Sequence, residues 1–159
     1  MLLFRKEYAK ITFSSDYIYG LPTTGEYQTF DILKYKKIRD MLVSRKALKH
    51  RNILRPHPCS YDELRLVHEE NYLKRIQDPQ YVSQILKIDI AGIWDNYILE
   101  YYRAVTGGTL LATAYTLSCN MPVFNLGGGF HHAHPERAEG FCLINDVAVA
   151  IQKFRQKKR

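Results

Sequence analysis

The sequence predicts an α/β domain built on a mainly parallel sheet. Short apolar runs of strand length (KITFSS at 10–15, NILRPHP at 52–58, MPVFNLGG at 121–128) alternate with segments whose apolar residues recur at helical spacing. The 159 residues, 46% of them hydrophobic, suffice for one ordinary domain with a sizeable core. No internal repeat or low-complexity tract interrupts the pattern.

Each element has its own signal. KITFSS alternates and is rich in strand formers, so it reads as the first strand. GLPTTGEYQT (20–29) is turn-like, and helical spacing begins at Asp31 and runs through Ile32, Tyr35, Ile38, Met41 and Leu42. NILRPHP is a short strand ended by two prolines. SYDE (60–63) is a capping-box pattern in which Ser60 and Glu63 bond each other's backbone N–H. A helix should follow with Leu64 and Val67 inward, then a second short helix from about Asn71 to Gln77. Residues 79–95 are ambiguous between helix and strand. A long helix runs from about Tyr97 to Leu117, with Ile98, Tyr101, Val105, Ala112 and Tyr115 on one face. Gly107 and Gly108 inside it cost about 1 kcal/mol each against alanine, which close packing against a neighbouring backbone would justify. MPVFNLGG is a strand running into glycines, and Asn145 or Asp146 caps a last helix through Val147, Ala148, Ile151 and Phe154.

Charge and cysteine usage narrow the setting. Lys and Arg number 23 against 16 Asp and Glu, a formal net charge of +7. The cations Lys34, Lys36, Lys37, Arg45, Lys46, Lys49 and Arg51 are spread over solvated helix faces, so the reading is an ordinary basic surface. The dense run from Lys153 to Arg159 suits a helix C-terminus. A nucleic-acid module would need a recognition motif, and the sequence has none, so no specific nucleic acid is expected as a partner. No segment approaches the ~20 apolar residues of a membrane span. Cys59, Cys119 and Cys142 form no C-x-x-C pair, which points to a reducing compartment. MLLFRKEYAK is charged by position 5, and its apolar run is too short for a signal peptide. The expected location is cytoplasmic.

The chemistry concentrates in NLGGGFHHAHPERAEGFC (125–142), at the carboxyl end of a strand, where sheets of this type bind ligands. Gly127 to Gly129 permit positive φ and close approach to a ligand, but they match neither common phosphate-binding pattern. His131 and His132 on a coiled loop can converge on one substrate. One imidazole would take a proton from water while the other steadies charge or protonates a leaving amine. The pair also suits metal ligation, or an ordinary surface loop. His134, before Pro135, reads as a rim residue. Gly140-Phe141-Cys142 would wall a narrow apolar slot, or Phe141 would be a core residue under the loop.

GGGFHHAHPERAEGFCLINDVAVAI (127–151) closely resembles the zinc-dependent histone deacetylase superfamily. It looks most like the bacterial and class IV-like branch, with the acetoin-utilisation and acetylpolyamine deacetylases. TGGTLLAT (106–113), YDELRLVHEENYLKRI (61–76) and FDILKYKKIRDML (30–42) are similar to further family segments, so the resemblance spans nearly the whole chain.

The resemblance implies the N-terminal half of a three-layer, parallel-sheet arginase/deacetylase-like fold. Residues 1–159 would be the N-terminal portion of a single histone deacetylase-like domain whose C-terminal portion is absent. In that family Zn²⁺ polarises the acetyl carbonyl and activates water. By motif position His131 and His132 would be the tandem acid–base pair beside the metal. Gly140 would offer its carbonyl to the substrate amide, Phe141 would line the acyl-lysine tunnel, and Phe130 would sit near the tunnel foot. Lys34 falls where many relatives carry an arginine near an inner cavity.

The resemblance also implies what is missing. The family's metal ligands, an Asp-x-Asp-x-His segment and a later Asp, follow this motif, as do the acidic residues that orient the histidines and a late tyrosine. None has a match here: Asp89 lacks the following histidine, and His57, His68, Asp95 and Asp146 have no ligand motif. The chain alone is therefore expected to bind no catalytic zinc, to be inactive, and to be poorly stable at an uncovered sheet edge. Its ending at Arg159 suits a nick, with the C-terminal half bound as a second chain, or a truncated frame. The substrate would be acetyl-lysine, an acetylpolyamine or a small metabolite. A catalytically inactive remnant or binding protein is the other reading.

Overall fold

A computed structural model describes residues 9–18, 31–87, 90 and 97–155. Three parallel strands form the sheet: β1 (Lys10–Thr12), β2 (Ile53–Leu54) and β3 (Val123–Asn125), in the order β2-β1-β3. Ile11 pairs with Ile53 on one side and Phe124 on the other. Among the described residues six α-helices accompany them: α1 (Lys34–Ser44), α2 (Tyr61–Leu64), α3 (Glu70–Arg75), α4 (Pro79–Leu86), α5 (Tyr97–Cys119) and α6 (Asp146–Arg155). The predicted alternation of strand and helix, with parallel pairing, is what the molecule has.

The strands are shorter than their apolar runs. Ser15–Ile18 leaves the sheet as a 3-10 turn that drives Tyr17 into the core. After Leu54 the chain runs extended across α5 instead of along β1: the Cys59 N–H donates to the Arg103 carbonyl and Arg103 Nε donates back to the Cys59 carbonyl. The capping box of α2 is present, with Ser60 Oγ accepting from the Glu63 N–H and Glu63 Oε2 from the Ser60 N–H. Leu64 is fully buried. Of the ambiguous stretch 79–95, Pro79–Leu86 is helical; Asp78 caps it from the side chain and Pro79 occupies the first turn. The expected turn at 20–29 lies outside the described residues. Ile32, just before α1, and Tyr35 on it are buried, but Ile38 and Met41 are exposed.

α5 is the spine. Its first half is buried on every side (Ile98, Leu99, Tyr101, Tyr102, Ala104, Val105), not along one stripe, because the sheet, α6 and the 55–60 segment enclose it. The two glycines follow from that enclosure. A Cβ on Gly107 would overlap the His57 carbonyl oxygen, and one on Gly108 would overlap the Tyr17 hydroxyl. The helix therefore accepts the propensity cost of glycine to let a crossing backbone approach. Gly107→Ala is expected to destabilise the chain by about 2–3 kcal/mol, since backbone and not a movable side chain must yield. A urea melt checks this; an unchanged midpoint would show that the 55–60 segment is not held against α5.

Candidate active site

The glycine turn after β3 is built from beneath by two polar side chains, one half-buried (Asn125) and one buried (Asp146). Asn125 accepts from the Tyr17 hydroxyl (3.0 Å) and the Gly127 N–H (3.3 Å), and donates to the Val105 carbonyl and Thr109 Oγ1. Asp146, fully buried, accepts from the N–H groups of Gly129 (3.1 Å) and Phe130 (2.7 Å) and from the Thr109 hydroxyl. A carboxylate in the interior needs such donors, and the turn supplies them. The side-chain cap of α6 comes from Asn145, whose Oδ1 accepts from the Ala148 N–H (3.0 Å). Asp146, the other capping candidate, faces the turn.

His131 and His132 emerge from this turn side by side and exposed, their ring centroids 4.2 Å apart and their planes 35° apart. His131 Nδ1 lies 2.9 Å from the Gly129 carbonyl, to which it donates, leaving Nε2 outward. Gly140, at φ +55°, brings its backbone against the His132 ring; a Cβ there would stand 2.9 Å from His132 Cγ. Phe141 is not the core residue of the alternative reading. It is 51% exposed and sits at φ +63°, with its carbonyl turned inward to accept from the Tyr102 hydroxyl. Phe130 is half-buried, its ring 4.8 Å from that of Tyr102 and 6.1 Å from that of Tyr101. The structure thus brings together His131, His132, Gly140, Phe141 and Phe130. His134 is partly exposed and pairs with Glu139 at 3.0 Å, as a rim residue would. Lys34 stands at the start of α1, its Nζ 5.2 Å from the Tyr35 ring centre.

A model of the histone deacetylase domain matches residues 28–159. The chain belongs to the histone deacetylase family. It is 30% identical over 146 residues to Histone deacetylase 2 of Arabidopsis thaliana, covering 89% of this chain and 38% of that protein. Histone deacetylase 8 of Danio rerio is 32% identical over 125 residues, covering 69% and 31%. Acetoin utilization protein AcuC of Staphylococcus aureus is 31% identical over 135 residues, covering 77% and 34%. The crystal structure of a histone deacetylase homolog from Aquifex aeolicus superposes with a TM-score of 0.70 at 23% identity. It covers 95% of this chain and 42% of that one, and shows the same deacetylase fold. The chain therefore spans roughly a third to two fifths of these relatives' length.

The family is zinc-dependent in general, so the donor set needs a test against that ion. Among the described residues no three His, Cys, Asp or Glu side chains converge as a metal site. The chemistry of the individual donors agrees. Asp146 is committed to turn amides, His134 to Glu139, and burial pushes the Cys142 thiol up and the Cys59 thiol up to about 12. These side chains do not fit a zinc centre. Among the described residues, also, no helix is long and apolar enough to cross a membrane.

Sequence reasoning missed His68 and gave Asp146 only a capping role. His68 is 2% exposed, with Nδ1 3.0 Å from the His134 carbonyl and Nε2 3.1 Å from the Asn145 N–H. Burial lowers its pKa, partly offset by the carbonyls of His134 and Pro135. The unfolded chain then takes up the proton first as pH falls. Its contribution to stability is complete above the unfolded value of about 6.5 and declines below it. The urea midpoint is expected to fall between pH 7.5 and 5.5. His68→Gln should shrink that fall, and an undiminished pH dependence in this variant would count against the neutral His68.

Proposed function

We propose that this chain supplies the histidine-pair wall of a deacetylase active site that hydrolyses an acetyl amide. The supporting observation is the His131–His132 pair: two exposed rings 4.2 Å apart on a turn pinned by the buried Asp146. One histidine takes the proton of the attacking water; the other steadies the developing charge and protonates the leaving amine. The Gly140 carbonyl receives the substrate amide N–H, Phe141 lines the acyl chain's path, and Phe130 closes the foot of that path. The substrate is an acetylated lysine, polyamine or small metabolite.

On this reading 1–159 is the N-terminal portion of one deacetylase domain. Zinc and its ligands belong to the complementary portion, held in the longer polypeptide or as a second chain. Alone, the 159 residues bind no catalytic zinc and are inactive. The open flank of the sheet supports an additional polypeptide there. Among the described residues β3 is paired only with β1, its own Phe124 is exposed, and so are Leu117 on α5 and Val147 and Ile151 on α6. The three unbridged cysteines favour a cytoplasmic setting, and the dispersed charge argues against a specific nucleic-acid partner.

The test begins by sequencing the gene past codon 159 and assaying both the 159-residue chain and the longer polypeptide on acetyl-lysine peptides and acetylpolyamines. Only the longer polypeptide is expected to show chelator-sensitive deacetylation. In it, His131→Ala and His132→Ala should each lower kcat by about 10²–10⁴-fold with KM little changed. Chelator-sensitive activity of the short chain would reject the incomplete site, and full activity of both variants would reject the acid–base pair. A gene that closes at codon 159 would favour the inactive remnant or binding protein.

A further inference from the structure

The loop that carries the histidine pair is held from outside by a residue that none of the roles above includes. We propose that His68 is a positioning residue for the His131–His132 pair, acting as a neutral two-ended clamp between His134 and Asn145. Its functional meaning rests on the deacetylase reading; the clamp itself rests on geometry.

His68 follows α2, and its ring is buried against Tyr72, with centroids 5.4 Å apart. The His134 carbonyl can only accept, so Nδ1, 3.0 Å away, carries the hydrogen. The Asn145 backbone N–H can only donate, so Nε2, 3.1 Å away, carries the lone pair. One neutral tautomer satisfies both partners. The other tautomer sets donor against donor at Asn145 and acceptor against acceptor at His134; the imidazolium clashes at Asn145. The next residue doubles the tie, since the Glu69 N–H donates to the Pro135 carbonyl at 2.9 Å.

Asn145 carries the constraint to the pair. Its Nδ2 donates to the carbonyls of His131 (3.3 Å) and Ala133 (3.0 Å), which flank His132, while its Oδ1 is anchored on α6. The His132 ring lies exposed between the His131 ring and the Gly140 backbone, so its direction is inherited from these peptide groups. Hydrogen bonds therefore run unbroken from a buried imidazole to the backbone on both sides of an exposed one.

Nitrogen-15 spectra of the histidine rings read the tautomer directly, in the 159-residue chain and in the longer polypeptide. His68 is expected as the Nδ1–H form. His68→Gln, whose amide can both donate and accept, should leave the Asn145 amide and the His131 and His132 ring signals in place. His68→Leu should speed Asn145 amide exchange roughly tenfold, the worth of one lost hydrogen bond, and shift both ring signals. An Nε2–H tautomer, a folded Leu variant with unmoved signals, or a Gln variant perturbed as much as the Leu variant would overturn the clamp. Should the Leu variant fail to fold, the tautomer and the Gln variant still decide. In the longer polypeptide, Gln should keep kcat near wild type and Leu should lower it at least about tenfold. An intact clamp without any deacetylation rejects the functional reading alone; deacetylation with the wrong tautomer rejects the clamp alone.

Discussion

The buried carboxylate of Asp146 is the interaction on which the candidate site depends. An anion inside an apolar domain has to find hydrogen-bond donors, and three are gathered around this one: two amides of the glycine turn and the Thr109 hydroxyl. These donors come from the exit of β3 and from α5, while Asp146 itself begins α6. One side chain thus locks three elements and sets where the next residues, His131 and His132, leave the fold. The same demand explains the glycine at 128: a Cβ there would stand 2.7 Å from Asp146 Oδ2 and 2.8 Å from Asn125 Nδ2. A larger residue would push apart the carboxylate and the amide that hold the turn.

The far end of the loop follows the same logic of buried polar groups finding partners. Phe141 occupies a left-handed conformation that a bulky residue rarely adopts, and the Tyr102 hydroxyl on its carbonyl offsets the strain. That conformation points the ring into solvent. Tyr102 also packs under Phe130, so one α5 residue supports both aromatic members of the site. Two of the candidate residues, Phe130 and Phe141, are thus positioned from the surface of α5.

The edge of the sheet belongs to the same picture. Among the described residues β3 sits at one side of a three-stranded sheet, and its Phe124 is exposed, as are Leu117 on α5 and Val147 and Ile151 on α6. Three short parallel strands bury little by themselves, and parallel sheets are ordinarily covered on both faces.

Periodicity, glycine placement and the capping box were enough to read an α/β chain, the long helix, the Ser60–Glu63 cap and a strand that runs into a glycine turn at its carboxyl end. These are local properties, set by spacing of a few residues along one segment. The residues alone singled out the histidine pair and Gly140-Phe141; the family resemblance added the roles expected of them. Strand ends were not legible, because they depend on which neighbour takes the backbone hydrogen bonds; after Leu54 the Cys59 backbone bonds Arg103 of α5 rather than β1. The capped helix at Pro79 was missed although Asp78 and Pro79 are both start signals. Only the tertiary structure decided that Asp146 serves the turn while Asn145 caps α6, and that His68 reaches residues 134 and 145. Those bonds join groups far apart in the chain, and no short-range pattern records which buried donor will meet which acceptor.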